Sequence, residues 1–216
     1  MIFMNHSTRH TLRALLAGLV VLMMSTGAIG QTKPPALNKE NIEKALNEAL
    51  AKFKDVSEGK NADYIPELAK VDSKIFGIAL VTMDGKVYSV GDLESKVSIQ
   101  SISKVFTMAR DIEELGAQEI KDKIGVDATG LRFNSIVAVE LQKGKEINPL
   151  VNPGAIAASS LIKGNTYEEK WNNILTTHSD FAARQLDVNE PVYASEAATN
   201  QRNQAIAQLL FAYDRM

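Results

Sequence analysis

Apolar residues recur three and four positions apart along residues 38–54, as at Ile42, Leu46 and Leu50. This spacing places them on one face of an amphipathic helix. Asn38 precedes the pattern, and asparagine is a favoured residue type at the N-cap of a helix. The pattern therefore predicts a helix over this segment that buries one side and exposes the other.

Two further apolar runs are separated by a turn signal. Residues 75–82 are almost continuously apolar, residues 86–90 form a shorter run, and Asp84-Gly85 lies between them. An Asp-Gly pair in this position is typical of a β-hairpin. The first run shows no alternation of polar and apolar residues, which predicts a strand that is covered on both faces.

Helical patterns dominate the rest of the chain, and the predicted helices cover residues 101–115, 136–141, 155–162, 167–176 and 196–213. A hairpin followed by a helical remainder indicates an α/β fold with a helical subdomain. An isolated hairpin is marginally stable at best in water. The last helical pattern also reaches Met216 without a capping or breaking residue. We therefore expect further strands of the sheet to lie outside this chain.

The first thirty residues have the pattern of an export signal. Two arginines provide a positively charged start, residues 14–24 form a short apolar run, and small residues follow at positions 28 and 30. The run is short for a transmembrane helix, so cleavage near Gly30 is favoured over a retained anchor helix. The pattern predicts a signal peptide over 1–30, a single domain over 31–216, and a periplasmic or secreted location.

The amino-acid composition excludes several kinds of chemistry. The chain contains no Cys, which rules out disulfides, thiol nucleophiles and thiolate metal ligands. Beyond residue 30, His178 is the only histidine, so a zinc site built on several histidines is excluded as well. The same segment carries 22 Lys and Arg against 26 Asp and Glu, which argues against nucleic acid or an anionic membrane surface as a partner. A general base is therefore expected to be a lysine, a tyrosine or a carboxylate.

The pattern Ser-x-x-Lys occurs three times, and only one copy has a context that suits catalysis. The copy at 57–60 falls in a loop and the copy at 160–163 closes a predicted helix, whereas Ser101 and Lys104 stand at the start of a strong helix after the hairpin. Residues three apart share a helical face, so Lys104 would reach the Ser101 hydroxyl. The pattern by itself favours the alternative of a capping serine and an exposed lysine.

Lys104 would have to lose its proton to act as a base. A free lysine titrates at roughly 10.4, but desolvation and the positive end of a helix both lower such a pKa. Val105, Met108 and Ile112 continue the face that begins at Ser101, so we expect the Lys104 ammonium to emerge from apolar surroundings. Backbone N–H groups at the same helix end would be available to a developing oxyanion.

Asn152, in the segment NPLVNPGAI, has two interpretations. Proline suits the first helical position, so the pattern favours Asn152 as the cap of a helix that begins at Pro153. Alternatively, its side-chain amide projects into a cleft. Tyr64 is interpreted as an aromatic anchor in front of a proline, and His178, in the polar segment TTHSD, as a solvated surface residue.

Glu196 and Asn203 are seven positions apart, or two turns of one continuous helix, and would share a face. Asn203 aligns with Ile206 and Leu210 on the side that is expected to be buried, so its amide needs a partner from the protein or from a ligand. The alternative for Glu196 is a place in the first turn of a helix that Ser195 caps.

Four segments together resemble the serine-dependent glutaminases. They are ADYIPELA, SIQSISK, NPLVNPGAI and SEAATNQRNQ, and they occur in that family's order over about residues 38–216. The resemblance implies the fold of serine β-lactamases and penicillin-binding proteins. It also implies that members continue beyond the length found here, so residues 31–216 are expected to be the N-terminal portion of a glutaminase domain, with later strands of the sheet missing.

By this resemblance, Ser101 is the catalytic nucleophile and Lys104 activates it. The residues implied to hold the substrate are Tyr64, Ser101, Asn152, Glu196 and Asn203, with Glu196 as the counter-charge for the α-ammonium group. The implied reaction is hydrolysis of L-glutamine to L-glutamate and ammonia through an acyl-serine intermediate, without a cofactor. Full-length members are expected to form homo-oligomers. The chain departs from the family pattern at Pro153, where alanine is usual, and in its predicted export signal.

Two alternatives to a glutaminase stay open. One is another acyl-serine amide hydrolase of the β-lactamase or penicillin-binding type, although the Lys-Thr-Gly-type strand motif of those enzymes is absent from the chain. The other is an inactive, truncated remnant. Labelling by a penicillin without release of ammonia from glutamine would favour the first of these two alternatives.

Overall fold

The computed structural model describes residues 37–143, 145 and 147–216. The predicted signal peptide lies outside the described residues. Backbone contacts divide the described part of the chain into two compact units. The first unit combines residues 37–53 with 77–91, and the second combines residues 54–76 with the chain from residue 92 onward.

Helix α1 and a β-hairpin make up the first unit. α1 spans Lys39–Phe53, and its start is capped as predicted, because Oδ1 of Asn38 accepts a hydrogen bond from the main-chain N–H of Asn41 at 2.9 Å. Ile42 and Leu46 are the buried residues of this helix, which packs against both strands of the hairpin. The predicted amphipathic helix is therefore confirmed.

The hairpin pairs β1, Gly77–Val81, with β2, Val87–Gly91, in an antiparallel arrangement. Leu80 lies opposite Tyr88 in this register. Gly85 occupies the connecting turn with a φ of 79°, in the left-handed region that glycine adopts without a steric cost. The predicted hairpin and its Asp-Gly turn are both confirmed.

The prediction that the first strand is covered on both faces is wrong for the described part of the chain. Leu80 and Val81 of β1 are 36% and 65% exposed. Among the described residues, β1 pairs with β2 alone, and α1 is the helix of the first unit that packs against it. An uninterrupted apolar run indicates that a strand needs cover, but it does not show whether the described residues supply that cover.

Helices build the second unit. Their bounds are Pro66–Ala69 (α2), Ser103–Leu115 (α3), Ala117–Lys123 (α4), Ile136–Gln142 (α5), Asn152–Leu161 (α6), Tyr167–Phe181 (α7), Glu190–Ala197 (α8) and Gln201–Ala212 (α9). A short 3-10 turn, Gln100–Ile102, leads directly into α3, and Gly116 ends α3 as predicted. Among the residues described, none of the helices combines the length and the apolar character that crossing a membrane requires.

The core of the second unit lies where α4, α5, α6 and α9 meet. Val139 of α5, Ile147 of the following loop, and Ile206 and Leu210 of α9 are completely buried there. α6 also packs against α3, and α3 packs against α7. The prediction that one face of α9 is buried is thus confirmed. The same core holds α6 and α9, which carry Asn152 and Asn203.

Helix α7 is five residues longer than predicted, because the polar residues at its end are buried rather than solvated. Thr177, His178 and Ser179 are between 6% and 9% exposed. Each side chain forms a hydrogen bond to the main-chain oxygen four residues earlier, at 2.8, 2.7 and 2.9 Å respectively. These bonds, together with the contact of the second His178 nitrogen with the main-chain oxygen of Ser103 at 3.2 Å, satisfy polar groups inside the protein. The interpretation of His178 as a surface residue is therefore wrong.

The single helix predicted over residues 196–213 is also wrong, since α8 and α9 are separated at residues 198–200. The Thr199 hydroxyl donates to the main-chain oxygens of Ser195 and Glu196 at 3.1 and 3.3 Å. A hydroxyl that competes for backbone oxygens in this way weakens the continuation of a helix. Glu196 consequently lies at the C-terminal end of α8, and not in a first turn capped by Ser195.

Candidate active site

A cleft of about 650 Å3 opens in the second unit. It is lined by all six residues that the sequence analysis assigns to a site: Tyr64, Ser101, Lys104, Asn152, Glu196 and Asn203. The lining also includes residues that the sequence analysis missed, namely Gln100, Phe133, Asn134, Ser159 and Arg202. Segments that are far apart in the sequence therefore meet around one space that is large enough for an amino acid.

Ser101 lies in the 3-10 turn in front of α3, because the helix begins at Ser103, two residues later than predicted. A 3-10 turn aligns side chains three positions apart, which keeps Ser101 and Lys104 on the same side. Gln100, directly before Ser101, has a φ of 46° in the left-handed region that residues other than glycine rarely adopt. Such strained conformations cluster at functional sites, and here the turn leaves Ser101 exposed at the cleft.

The ammonium group of Lys104 is held inside the cleft. Its Nζ atom lies 2.6 Å from Oδ1 of Asn152 and 5.9 Å from the centre of the Phe133 ring. Partial burial lowers the pKa of Lys104 below its ordinary value, in the direction that the sequence predicts. The Asn152 oxygen and the aromatic face both favour the charged amine, so they oppose this effect in part. Lys104 is thus fixed in position while its proton becomes easier to remove.

The apolar surroundings of Lys104 differ from those that the sequence predicts. Val105 and Ile112 are 45% and 39% exposed, so the face that they form does not enclose the lysine. The apolar neighbour is Phe133, whose main-chain oxygen accepts a hydrogen bond from the Asn152 N–H at 2.7 Å. This bond ties the aromatic residue to the start of α6, a contact between distant segments that periodicity cannot predict.

Asn152 connects Lys104 to Asn203 through its side-chain amide. Its oxygen accepts from Lys104, and its Nδ2 group donates to Oδ1 of Asn203 at 2.9 Å. α6 begins at Asn152 itself and its N-cap is Val151, so the interpretation of Asn152 as the cap is wrong. Oδ1 of Asn203 accepts this bond with one of its two lone pairs, and the Asn203 amide nitrogen remains a donor for other contacts.

Gly154 fixes the place at which α6 begins. A Cβ atom at this position would lie 1.8 Å from the main-chain oxygen of Asn148, a distance that no real contact allows. The Asn148 side chain donates to the main-chain oxygen of Asp127 at 2.9 Å and accepts from the N–H of Leu150 at 3.0 Å. The loop is therefore tightly bonded and packed against the helix start, which holds Asn152 at the cleft.

Tyr64 and Glu196 reach the cleft from two segments that are bonded together. The main-chain N–H of Glu67 donates to Oγ of Ser195 at 3.3 Å, and α2 packs against α8. Tyr64 is 67% exposed, so the interpretation of this residue as an aromatic anchor in front of a proline is wrong. The neighbouring Ile65, 3% exposed, fills the interior instead, and the tyrosine stands at the rim of the cleft.

Residues from the N-terminal parts of three helices line the cleft. Lys104 belongs to the first turn of α3, Asn152 is the first residue of α6, and Asn203 lies in the first turn of α9; all three line the cleft. The dipole of a helix makes its N-terminal end favourable for negative charge. The cleft is thus suited to an anion, either a carboxylate or an oxyanion that develops during a reaction.

Formal charges in the cleft lining come from Lys104, Glu196 and Arg202. Among the described residues, neither Glu196 nor Arg202 forms an ion pair with a protein group. Both charges are therefore available to a ligand. Arg202 was missed because an arginine near the start of a helix has no distinctive pattern, although it lies next to Asn203 in the segment SEAATNQRNQ.

The other two Ser-x-x-Lys copies lie outside this cleft. The Ser160 hydroxyl donates to the main-chain oxygen of Ala157 at 2.6 Å, and Lys60 is paired with Asp63. Both copies are thus engaged in local structure. In the described part of the chain, no group of three or more acidic, histidine or cysteine side chains could hold a metal ion.

Comparison with known proteins identifies the family. A family model described as Glutaminase matches residues 59–216. The chain is 55% identical over 174 residues to a glutaminase of Colwellia psychrerythraea, covering 81% of this chain and 56% of that protein. It is 47% identical over 175 residues to a glutaminase of Brucella canis, covering 81% of this chain and 55% of that protein. The chain therefore spans about half the length of the curated relatives that it matches.

Solved structures of glutaminases resemble the fold of this chain. The probable glutaminase ybaS superposes with a TM-score of 0.80 at 43% identity, covering 83% of this chain and 58% of that one. A probable glutaminase from Bacillus subtilis, complexed with 6-diazo-5-oxo-L-norleucine, superposes with a TM-score of 0.69 at 27% identity, covering 84% of this chain and 55% of that one. The predicted α/β, β-lactamase-like fold class is thereby confirmed. With a matching family model, close relatives and the same fold, the chain belongs to the Glutaminase family.

Proposed function

We propose that the protein hydrolyses the side-chain amide of L-glutamine to L-glutamate and ammonia through an acyl-serine intermediate. The observation that carries the proposal is the half-buried Lys104, held at 2.6 Å by Asn152 in the cleft that Ser101 also lines. Membership of the Glutaminase family and the names of the relatives support the same reaction.

Ser101 and Lys104 act as a nucleophile and its base. The uncharged Lys104 amine takes the hydroxyl proton as Oγ of Ser101 bonds to the carbonyl carbon of the amide. The tetrahedral intermediate then expels ammonia, which receives that proton from Lys104, and an ester remains on Ser101. Water attacks this ester with Lys104 again relaying the proton, so L-glutamate leaves and Ser101 is restored.

The surroundings of Lys104 supply what this cycle requires of a base. Partial burial lowers its pKa, which increases the fraction of uncharged amine near neutral pH. The Asn152 oxygen accepts a hydrogen bond from the charged and from the uncharged amine, so it orients Nζ in both states. The positive dipole at the N-terminal end of α3 favours the oxyanion of the tetrahedral intermediate.

The charges of Glu196 and Arg202 suit the zwitterionic end of an amino acid. The Glu196 carboxylate is the partner for the α-ammonium group. The Asn203 amide nitrogen and the Arg202 guanidinium only donate hydrogen bonds, so they are the partners for the α-carboxylate. Tyr64, at the rim, adds a hydroxyl and an aromatic face next to the bound substrate.

The proposal is tested by covalent labelling. 6-Diazo-5-oxo-L-norleucine, which the Bacillus subtilis protein binds, is incubated with the full chain, and the adduct is mapped by peptide mass spectrometry. We expect one adduct, on Ser101, that excess L-glutamine prevents. The Ser160→Ala variant should be labelled like the wild type, whereas Ser101→Ala should not be labelled.

Two results would contradict the proposal. An adduct on a residue outside the cleft, or one that L-glutamine does not prevent, would remove the assignment of Ser101. Acylation of Ser101 by a penicillin, without ammonia release from L-glutamine, would instead identify an acyl-serine hydrolase of the β-lactamase or penicillin-binding type.

The cellular location is a further part of the proposal. The charged start, the short apolar run and the small residues before position 31 support export and cleavage near Gly30. Mass spectrometry of protein from the native host should find a mature N-terminus near Gln31 in the periplasm or medium. Intact Met1 in the cytoplasm would contradict export. We also expect a homo-oligomer, which light scattering of the full-length protein would detect.

A further inference from the structure

His178 links helix α7 to the first turn of α3. Its ring is 8% exposed, and the two ring nitrogens face main-chain oxygens. Nδ1 lies 2.7 Å from the oxygen of Ile174, one turn earlier in the same helix. Nε2 lies 3.2 Å from the oxygen of Ser103, the first residue of α3. The second contact therefore connects two helices that the sequence separates by 75 positions.

The oxygen that Nε2 contacts belongs to a peptide unit of the candidate active site. The carbonyl of Ser103 and the N–H of Lys104 share one rigid plane. A hydrogen bond that fixes the carbonyl also fixes the orientation of the backbone from which the Lys104 side chain extends. The Thr107 hydroxyl donates to the same oxygen from within α3 at 3.3 Å, whereas His178 approaches it from outside the helix.

Aromatic packing fixes the plane of the imidazole ring. Phe106 of α3 meets His178 in an edge-to-face arrangement with ring centres 5.7 Å apart, and Phe181 of α7 packs on Phe106 at 4.9 Å. Carbonyl oxygens only accept hydrogen bonds, so each ring nitrogen must carry a proton to make its contact. The contact with Ser103 is a hydrogen bond when the proton is on Nε2.

We propose that His178 is a positioning residue, which holds the Ser103–Lys104 peptide so that Lys104 faces Ser101. The proposal rests on the proposed function, since it concerns the orientation of the base in that reaction. His178 is not among the residues that line the cleft, so it acts through the backbone of α3 and not on the substrate. Its loss should therefore lower the rate of the chemical step more than it weakens substrate binding.

Three variants of the full chain separate hydrogen bonding from packing. His178→Gln keeps a side-chain N–H that can reach the Ser103 oxygen. His178→Phe keeps the ring volume against Phe106 but has no donor, and His178→Ala removes both. We expect kcat for ammonia release to fall about tenfold in the Phe and Ala variants, as for the loss of one hydrogen bond, with KM within twofold of wild type. The Gln variant should stay within threefold of the wild-type kcat.

Hydrogen exchange gives a second readout that needs no activity. The Thr107 amide closes the first turn of α3 onto the Ser103 oxygen, so it should exchange faster in the Phe and Ala variants than in wild type and Gln. All measurements are made below the lowest melting temperature of the four proteins. Equal kcat values and equal exchange rates of the Thr107 amide in the four proteins would overturn the proposal. Full activity of the His178→Phe variant together with a loss of activity in the His178→Gln variant would also overturn it. If the wild type released no ammonia, the proposed function would fail, and the exchange rates would still decide whether His178 holds the turn.

Discussion

The Nζ atom of Lys104 lies 2.6 Å from Oδ1 of Asn152. This contact makes Asn152 more than a contributor to substrate binding, because it also sets the position of the proposed base. The Asn152 amide is oriented in turn by Asn203, which accepts its N–H at 2.9 Å. A change at either asparagine should therefore alter the chemical step as well as the affinity for substrate.

Asn152→Leu should lower kcat roughly ten- to hundredfold, because it removes a hydrogen bond to a charged group, a loss worth about 1.5–3 kcal/mol. Asn203→Leu should have a smaller effect on kcat, since Lys104 keeps its direct contact with Asn152. The double variant should lose less than the sum of the two in free energy. Steady-state kinetics of ammonia release measures all three.

The control for the asparagine variants is Asn165→Leu, which changes an exposed asparagine outside the cleft. It should leave kcat and KM unchanged. Losses that simply add in the Asn152/Asn203 double variant would argue that the two residues act independently, and the coupling described here would then be wrong.

Glu196→Gln should raise KM for L-glutamine at least tenfold, because it removes the charge that balances the α-ammonium group. Glutaric acid monoamide has the same side-chain amide and α-carboxylate position but lacks the ammonium group. Its hydrolysis should therefore be slow in wild type and unchanged, or improved, by Glu196→Gln. A parallel loss with both substrates would mean that Glu196 acts on the structure of the cleft and not on the ammonium group.

Asp111 of α3 is completely buried, and neither of its carboxylate oxygens has a hydrogen-bond partner among the described residues. Burial, with a smaller effect from the Glu114 carboxylate, raises the pKa of Asp111 to about 7, against an opposing effect from Lys170. The folded protein thus keeps the proton that the unfolded chain releases near pH 4. The native state binds more protons between these values, so the contribution of Asp111 to stability is most favourable below pH 4 and falls as the pH rises to about 7.

Asp111→Asn should remove this pH dependence, because the asparagine carries no charge. At pH 8 the variant should be more stable than wild type by up to about 4 kcal/mol, while at pH 4 the two should differ little. Urea unfolding at both pH values measures the difference, and Asp55→Asn, at an exposed position of the same unit, is the control. Equal stabilisation at pH 4 and pH 8 would show that the charge of Asp111 is not the cause.

Two predictions based on helical spacing agree with the structure. The spacing of Ser101 and Lys104 indicates that they face the same side, and both line the cleft. Asn203 was expected to need a partner because it aligns with Ile206 and Leu210, and it bonds to Asn152. These inferences succeed because the period of a helix determines which of its residues share a face.

Contacts between residues that are far apart in the sequence could not be predicted from helical spacing. Phe133 packs near Lys104 because its backbone is bonded to Asn152 across 19 positions of sequence, which leaves no local pattern. His178 looks like a surface residue in TTHSD, yet its two ring nitrogens meet main-chain oxygens of its own helix and of α3 inside the protein. The break between α8 and α9 depends on where the Thr199 hydroxyl finds an acceptor.

The central claim is that Ser101, activated by Lys104, carries the acyl group during hydrolysis of L-glutamine. The most direct test is the initial rate of ammonia release from L-glutamine by wild type, Ser101→Ala, Lys104→Met and the control Ser160→Ala, each confirmed as folded by circular dichroism. We expect Ser101→Ala and Lys104→Met to lose activity to nearly the same extent, with no further loss in the double variant, because nucleophile and base act as a unit. Ser160→Ala should match wild type. Ammonia release by Ser101→Ala at the wild-type rate would contradict the account.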